Sequence, residues 1–248
     1  MYEAPSYIWA IIIVGAAGVL ATTCTVLYGG AVRAGLGRRR AALLAVGAAI
    51  VLGGWMSTSA LIADHGWYNT GGRAPWLPLA FLGDLVLLLA LRRIPVVARA
   101  LAAPGTASRL QLPHAFRVAG LGFLLTMAIG HLPALFALPA GLGDITTGLA
   151  APLVSRKLAR GTGRRSAVWF NVFGMTDLIV ALALGALTGF QLIHVTPSSA
   201  AIGELPLALI PTAGVPLLLA LHVTSLSGLA KAPRTLRPAT VPVTATAE

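Results

Sequence analysis

Long apolar runs alternate with short polar gaps along the chain, a pattern typical of a membrane protein built from helices. A bilayer core about 30 Å thick needs roughly 20 apolar residues of helix to cross it, and seven runs come close to this length or exceed it. The predicted spans are 8–30, 41–63, 76–91, 116–134, 138–154, 167–188 and 205–229. The sequence therefore predicts an all-α, seven-transmembrane-helix bundle over residues 1–230, followed by a disordered basic tail at 231–248.

The composition agrees with this pattern and excludes a soluble enzyme. Only 10% of the residues are charged and 57% are hydrophobic, whereas soluble globular proteins carry about 25% charged residues. A soluble protein of this size would not have enough charged side chains to cover the surface that faces water. We therefore expect the lipid bilayer to be the surroundings of the whole bundle.

The basic residues predict the direction in which the spans run. All Lys and Arg residues except Arg73 follow spans 1, 3, 5 or 7, and so lie on one side of the membrane. By the positive-inside rule the N-terminus is outside and the C-terminus is cytoplasmic. The net charge of +11 is then a topology signal, and we predict no nucleic-acid partner. We expect a multi-pass protein of a bacterial cytoplasmic membrane, with Arg117 at the cytoplasmic edge of span 4.

The connections between the spans are too short to hold a soluble domain. The longest, 92–115, contains Pro95, Pro104 and Pro113 and is predicted to be a cytoplasmic loop with a short interfacial helix. Spans 4 and 5 are predicted to form a tight hairpin joined at residues 135–137. Any chemistry must therefore lie inside the bundle or at its mouth.

Three aspartates inside the spans are the strongest candidates for function. Asp84, Asp144 and Asp177 lie in spans 3, 5 and 6, where an ionised Asp costs about 2.5–3.5 kcal/mol on insertion scales. At about 1.5 Å per helical residue all three reach one layer in the outer half of the bundle, where we expect them to converge. Because no Lys or Arg is predicted deep in a span, the acids must be protonated, hydrogen-bonded, paired with a histidine or neutralised by a bound cation.

Two further residues join the candidate site. His131 stands at the outer end of span 4, where its imidazole could pair with a carboxylate. Asn171 shares a face of span 6 with Asp177. We predict Asp144 and Asp177 as the principal groups, supported by Asp84, His131 and Asn171.

Spans 5 and 6 also carry a pair of short motifs. Residues 139–148 read P-A-G-x-G-D-x-x-x-G, and residues 171–178 read N-x-x-G-x-x-D-L. These stretches resemble runs in uncharacterised bacterial multi-pass membrane proteins. The resemblance implies a family but no activity, so it assigns no role to any residue.

Three functions remain open from the sequence. The first is a transporter-like protein whose polar, acidic cavity opens outward and binds a proton, a cation or a small polar solute. The second is an intramembrane lipid hydrolase, in which the same acids hold a metal or act as general base. The third is a scaffold or binding subunit whose aspartates are structural. We predict no cofactor and no resident metal; a retinal protein, for example, needs a lysine in its last span, and the chain has none there.

Overall fold

The computed structural model describes residues 3–69 and 75–231, and this part of the chain is helical without a strand. The all-α fold is therefore confirmed. The α-helices of the described part are α1 (Ser6–Arg33), α2 (Arg38–Asp64), α3 (Trp76–Leu91), α4 (Pro95–Ala102), α5 (Thr106–Arg109), α6 (Leu121–Ala128), α7 (Ala134–Ala159), α8 (Arg164–Gly189) and α9 (Val215–Lys231). Arg73 lies outside the described residues, and so do residues 232–248 of the tail predicted at 231–248.

Within residues 3–69 and 75–231, five helical segments are long and apolar enough to cross a membrane. They are α1, α2, α7, α8 and the segment Ile210–Lys231, and the apolar helix α3 is shorter at 16 residues. Six of the predicted spans thus coincide with helices, mostly to within a few residues. The protein is a helical membrane protein by length and composition of these segments, while the count of seven spans and the direction of the termini stay predictions.

The fourth span differs from its predicted form. It begins as a 3₁₀ helix, Leu112–Gly120, which continues directly into α6. It ends at Gly130, whose φ of +83° suits a residue without a side chain, and His131 N–H donates to Thr126 O at 3.0 Å across this end. The reversal therefore lies at residues 129–133. The predicted hairpin turn at 135–137 is wrong, because those residues already belong to α7, which accommodates Pro139 inside it.

The segment predicted as a cytoplasmic loop packs into the bundle. It forms α4 and α5, and α4 lies against α1. Arg33 at the end of α1 donates from Nε to Pro104 O at 2.8 Å and from Nη2 to Thr106 Oγ1 at 3.0 Å. The side chains of Thr106, Ser108, Gln111 and His114 are buried. Residues 95–120 therefore bring polar groups into the interior.

The last span begins with a wide helical turn. A π-helical turn, Ile210–Gly214, precedes α9, so this span starts five residues later than predicted. Thr212 in the turn is bound to α2, because its Oγ1 lies 2.5 Å from Ser59 Oγ and its carbonyl accepts from Trp55 Nε1 at 2.7 Å. These bonds satisfy polar groups that lipid could not.

α7 is the helix around which the polar interior forms. It packs against the 3₁₀ segment, α8 and α6, and α8 in turn packs against α9. α3 also packs against α9 and contacts the π-helical turn. The 3₁₀ segment, α7, α8 and α9 consequently enclose one volume at the middle of the bundle.

Candidate functional site

Arg117 lies at the centre of this volume between two of the intramembrane aspartates. Its Nε donates to Asp144 Oδ1 at 2.6 Å, and its Nη2 donates to Asp177 Oδ2. The guanidinium side chain is 1% exposed, and the two carboxylate side chains are 12% and 10% exposed. A planar guanidinium with several fixed donors can bridge two acids in this way, which a lysine could not do equally well.

The 3₁₀ geometry explains how Arg117 reaches the middle of the bundle. A 3₁₀ helix rises about 2.0 Å per residue, so Arg117 lies roughly 10 Å beyond Leu112. Asp144 is ten residues into α7, and Asp177 is near the midpoint of α8. The expectation that no basic residue reaches the acids, with Arg117 at the cytoplasmic edge, is therefore wrong.

Glycines allow the helices to close around these ion pairs. A Cβ on Gly143 would collide with Asp177 Oδ1, and a Cβ on Gly120 would collide with Asp144 Cβ. A Cβ on Gly174 would lie 2.5 Å from His222 Nε2. The carbonyl of Gly174 also accepts from Arg117 Nη1 at 3.2 Å. The 3₁₀ segment, α7 and α8 thus each place a glycine without a side chain next to the charged cluster.

His222 of α9 extends the cluster and has a defined tautomer. Arg117 Nη1 lies 3.3 Å from His222 Nε2, and His222 Nδ1 lies 2.9 Å from Asn171 Oδ1. Because a guanidinium only donates hydrogen bonds, Nε2 is the accepting nitrogen and Nδ1 carries the hydrogen. His222 is therefore neutral and donates to Asn171.

Asn171 connects His222 to a second set of buried amides and hydroxyls. Its Nδ2 donates to Ala167 O at 2.6 Å, to Ser225 Oγ at 3.1 Å and to Gln111 Oε1 at 3.3 Å. Gln111 Nε2 donates to the same Ser225 Oγ at 2.7 Å. The network thus runs from the two carboxylates through Arg117 and His222 to the segment that precedes the 3₁₀ helix, and it fixes the position of the guanidinium.

His114 is the one ring of this region whose nitrogens make no hydrogen bond to a described residue. It is fully buried and stacks on His222, with ring centroids 3.8 Å apart and an interplanar angle of 23°. Phe170 meets the same ring edge-on at 5.6 Å. His114 therefore packs as an aromatic ring against the face of His222.

Two cavities meet at Asp144. The larger, of about 380 Å³, extends from Asp144 to the end of the bundle where α2 and α8 end and α3 begins. The smaller, of about 60 Å³, lies between α1, the 3₁₀ segment and α9 and touches both Arg117 and Asp144. Asp144 is the only acid among the described residues that line the larger cavity, whose walls are otherwise mostly apolar. The expectation of a polar, acidic cavity is wrong in this respect.

Comparison with known proteins places the chain in a family. A family model described as Domain of unknown function (DUF8737) matches residues 74–230, well over half of the chain. The chain belongs to the DUF8737 family. No curated protein and no solved structure matches it. The matched region begins just before α3 and contains every residue of the Arg117 cluster, so the cluster is formed entirely by the DUF8737 region.

The DUF8737 region brings together some of the residues predicted from the sequence. Asp144, Asp177 and Asn171 belong to the same hydrogen-bonded cluster. Asp84 is buried on α3, but no hydrogen bond or ion pair joins it to another described residue. His131 is exposed in the turn before α7, roughly 15 Å along that helix from Asp144. Asp144 and Asp177 therefore meet at Arg117, whereas the convergence of Asp84 with them stays a prediction.

Sequence reasoning missed Arg117, His222, Gln111 and Ser225 as members of the cluster. One signal was present in the DUF8737 sequence. Gln111, His114 and Arg117 recur at a spacing of three, and residues at this spacing eclipse one another in a 3₁₀ helix. This segment is predicted to be a loop from its prolines and polar residues. Three polar side chains on one of its faces indicate instead that the segment enters the protein.

The donor set of the DUF8737 cluster does not resemble a metal site. No three His, Cys, Asp or Glu side chains among the described residues are grouped so that they could hold a metal ion. The space between Asp144 and Asp177 is occupied by the Arg117 guanidinium, a cation already supplied by the chain. The cluster therefore offers two carboxylates and one fixed positive charge.

Proposed function

We propose that this DUF8737 protein is transporter-like and binds one proton or one small cation at the carboxylates of Asp144 and Asp177. The observation that carries the proposal is the charge balance of the cluster. Two carboxylates share the single guanidinium of Arg117, and His222 beside it is neutral. When both carboxyl groups are ionised, one negative charge is left that no described residue neutralises, and a bound proton or cation would complete the balance. Ionisable residues inside membranes commonly mark such pathways.

The cavities around Asp144 support this proposal by giving the site access. The 380 Å³ cavity leads from the end of the bundle to Asp144, and on the predicted orientation, in a bacterial cytoplasmic membrane, that end faces outward. The 60 Å³ cavity beyond it could hold a few water molecules, since one water needs roughly 10–15 Å³. A proton or small hydrated ion would thus meet Asp144 first and Arg117 behind it.

A structural role of the aspartates is the second candidate function. The ion pairs themselves favour it, because a buried Arg–Asp contact links the 3₁₀ segment to α7 and α8 whether or not anything binds there. In this alternative the protein is a scaffold or binding subunit. No observation of the site favours the lipid hydrolase.

Proton and sodium movement in reconstituted vesicles tests the proposal. Purified protein is placed in liposomes containing a pH-sensitive dye, and uptake of protons and of radioactive sodium is followed under an imposed gradient. We expect Asp144→Asn to lower the flux at least tenfold while the protein still inserts and folds, because the amide cannot exchange a proton or hold a cation. Asp64→Asn is the matched control, since Asp64 is exposed at the end of α2 outside the cluster.

The outcomes separate the two candidates. A flux that depends on Asp144 and not on Asp64 supports the transporter-like function. A wild-type protein that moves neither ion, or an Asp144→Asn variant with the wild-type rate, overturns it and leaves the structural role.

A further inference from the structure

The larger cavity is shaped for an apolar body, although its end is charged. Aromatic side chains from α3, α6 and α7 and from the residues after α2 and α8 line it, and aliphatic side chains fill most of the remaining wall. The aromatic lining residues are Tyr68, Trp76, Phe81, Phe123, Phe136 and Phe190. Its volume of about 380 Å³ lies in the range of roughly 300–1,000 Å³ typical of small-molecule sites. A proton or a metal ion would leave most of this volume unused.

The charged end of the cavity is acidic. Asp144 lines the cavity and Arg117 does not. The Asp144 side chain keeps 12% exposure, whereas the Arg117 side chain keeps 1% because the 3₁₀ segment and the neighbouring helices cover it. A molecule in the cavity therefore meets the carboxyl group of Asp144, which shares its guanidinium partner Arg117 with Asp177.

Several residues that line the cavity are also exposed on the side of the bundle. α3 packs on α9 and on the π-helical turn rather than along α8, and both α3 and α8 contribute to the cavity wall. Trp76 and Leu82 of α3 are 44% and 52% exposed, and Phe190 just after α8 is 42% exposed. These lining residues reach the surface that the bilayer covers, so a molecule dissolved in lipid could enter between the two helices.

We propose that the cavity binds a lipophilic organic cation, that is, an apolar body carrying a single positive charge. The body fills the aromatic and aliphatic walls, and the charge lies against Asp144, where it neutralises the excess negative charge of the cluster. This inference rests on the proposed function, because it names the class of cation that the same carboxylates take. Apolar walls offer a small ion no ligands to replace its water, whereas they pack against an apolar body at no such cost, which favours the organic cation as the occupant.

Two probes of the same shape and opposite charge test this inference. Binding of radiolabelled tetraphenylphosphonium and of tetraphenylborate is measured on protein in lipid nanodiscs, with empty nanodiscs subtracted. We expect saturable binding of the phosphonium at one per protein, and no saturable binding of the borate. Asp144→Asn should weaken phosphonium binding at least tenfold, whereas Asp64→Asn should leave it unchanged.

A second variant tests the cavity independently of the charge. Ala186 lines the cavity on α8 and is exposed, so Ala186→Phe narrows the cavity without touching the Arg117 cluster. We expect it to weaken phosphonium binding at least tenfold while proton or sodium flux through Asp144 persists.

The results distinguish failure of this inference from failure of the proposed function. If phosphonium binding is absent or does not depend on charge, while the flux still depends on Asp144, only the proposal of an organic cation is overturned. Equal binding of phosphonium and borate, or phosphonium binding unaffected by both variants, likewise overturns it. If the wild-type protein shows neither an Asp144-dependent flux nor phosphonium binding, this inference and the proposed function are both overturned.

Discussion

At the level of single residues, Arg117 offsets the cost of placing two carboxylates inside a membrane protein. An unpaired buried charge costs several kcal/mol, and a guanidinium repays this only with close, well-aligned hydrogen bonds. Arg117 has such contacts to Asp144 and Asp177, and its remaining donors face Gly174 O and His222 Nε2. These contacts require close approach of the helices, which Gly120, Gly143 and Gly174 allow.

Glycine precedes two of the three intramembrane aspartates, Asp84 and Asp144, which gives a matched pair of substitutions. Gly143→Ala should lower the free energy of unfolding by about 1–3 kcal/mol, because its Cβ would collide with Asp177 Oδ1. Gly83→Ala is the control: Gly83 also precedes an aspartate, but no atom lies within 4 Å of the added Cβ. It should be neutral, or stabilising by up to about 1 kcal/mol as alanine replaces glycine in a helix. Unfolding titrations in mixed micelles measure both, and equal effects would contradict the close packing of Gly143 on Asp177.

The candidate acids could be predicted from the sequence, and their partner could not. Charge inside an apolar run is conspicuous, so Asp144 and Asp177 stand out by position alone. Arg117 lies only one residue inside the predicted span 4 and resembles an ordinary flanking arginine. Its depth follows from where the 3₁₀ segment starts, and that start depends on packing against α1 and α7. Asp84 stands out in the same way as the other acids, yet it makes no hydrogen bond or ion pair with a described residue.

At the level of elements, the segment from α4 to α6 determines the polar interior. Long apolar helices such as α1, α2 and α8 follow directly from runs of about 20 apolar residues, and their predicted bounds are close to the observed ones. Residues 95–128 are broken by prolines and contain polar side chains, which individually suggest a loop. Their burial becomes evident only when the eclipsed 3₁₀ positions Gln111, His114 and Arg117 are placed against α7, α8 and α9.

Cysteine labelling tests whether this segment packs into the protein. The chain has one cysteine, Cys24, so Cys24→Ser provides a background free of thiols. On this background Arg109→Cys should react with a membrane-impermeant maleimide in inside-out vesicles, because Arg109 is exposed. Ser108→Cys, one residue earlier, should react only after denaturation, because Ser108 is 6% exposed.

The same experiment reports on orientation. Labelling of Arg109→Cys in right-side-out vesicles would contradict the predicted cytoplasmic side of this segment. Equal reactivity of the two cysteines without denaturant would contradict its packing into the bundle.

At the level of the whole molecule, the charge of the protein falls into two populations. Most basic residues flank the apolar helices, where they encode orientation, and they add nothing to the interior. The interior contains the Arg117 cluster, which the DUF8737 region forms from four elements that are distant in sequence. Binding of a proton or cation would act on this cluster, and the orientation charges would not take part.

The stability of charge-balanced variants tests most directly whether Arg117 is shared by the two buried carboxylates. Arg117→Met should lower the free energy of unfolding by about 3–5 kcal/mol, because two buried charges lose their partner. The triple variant Arg117→Met, Asp144→Asn, Asp177→Asn should recover most of this loss, since it contains no uncompensated charge. Arg93→Met, at an exposed arginine after α3, is the control. We predict that Arg117→Met is the least stable of the four proteins, including the wild type. An Arg117→Met variant as stable as Arg93→Met would contradict the shared ion pair, and so would a triple variant no more stable than Arg117→Met.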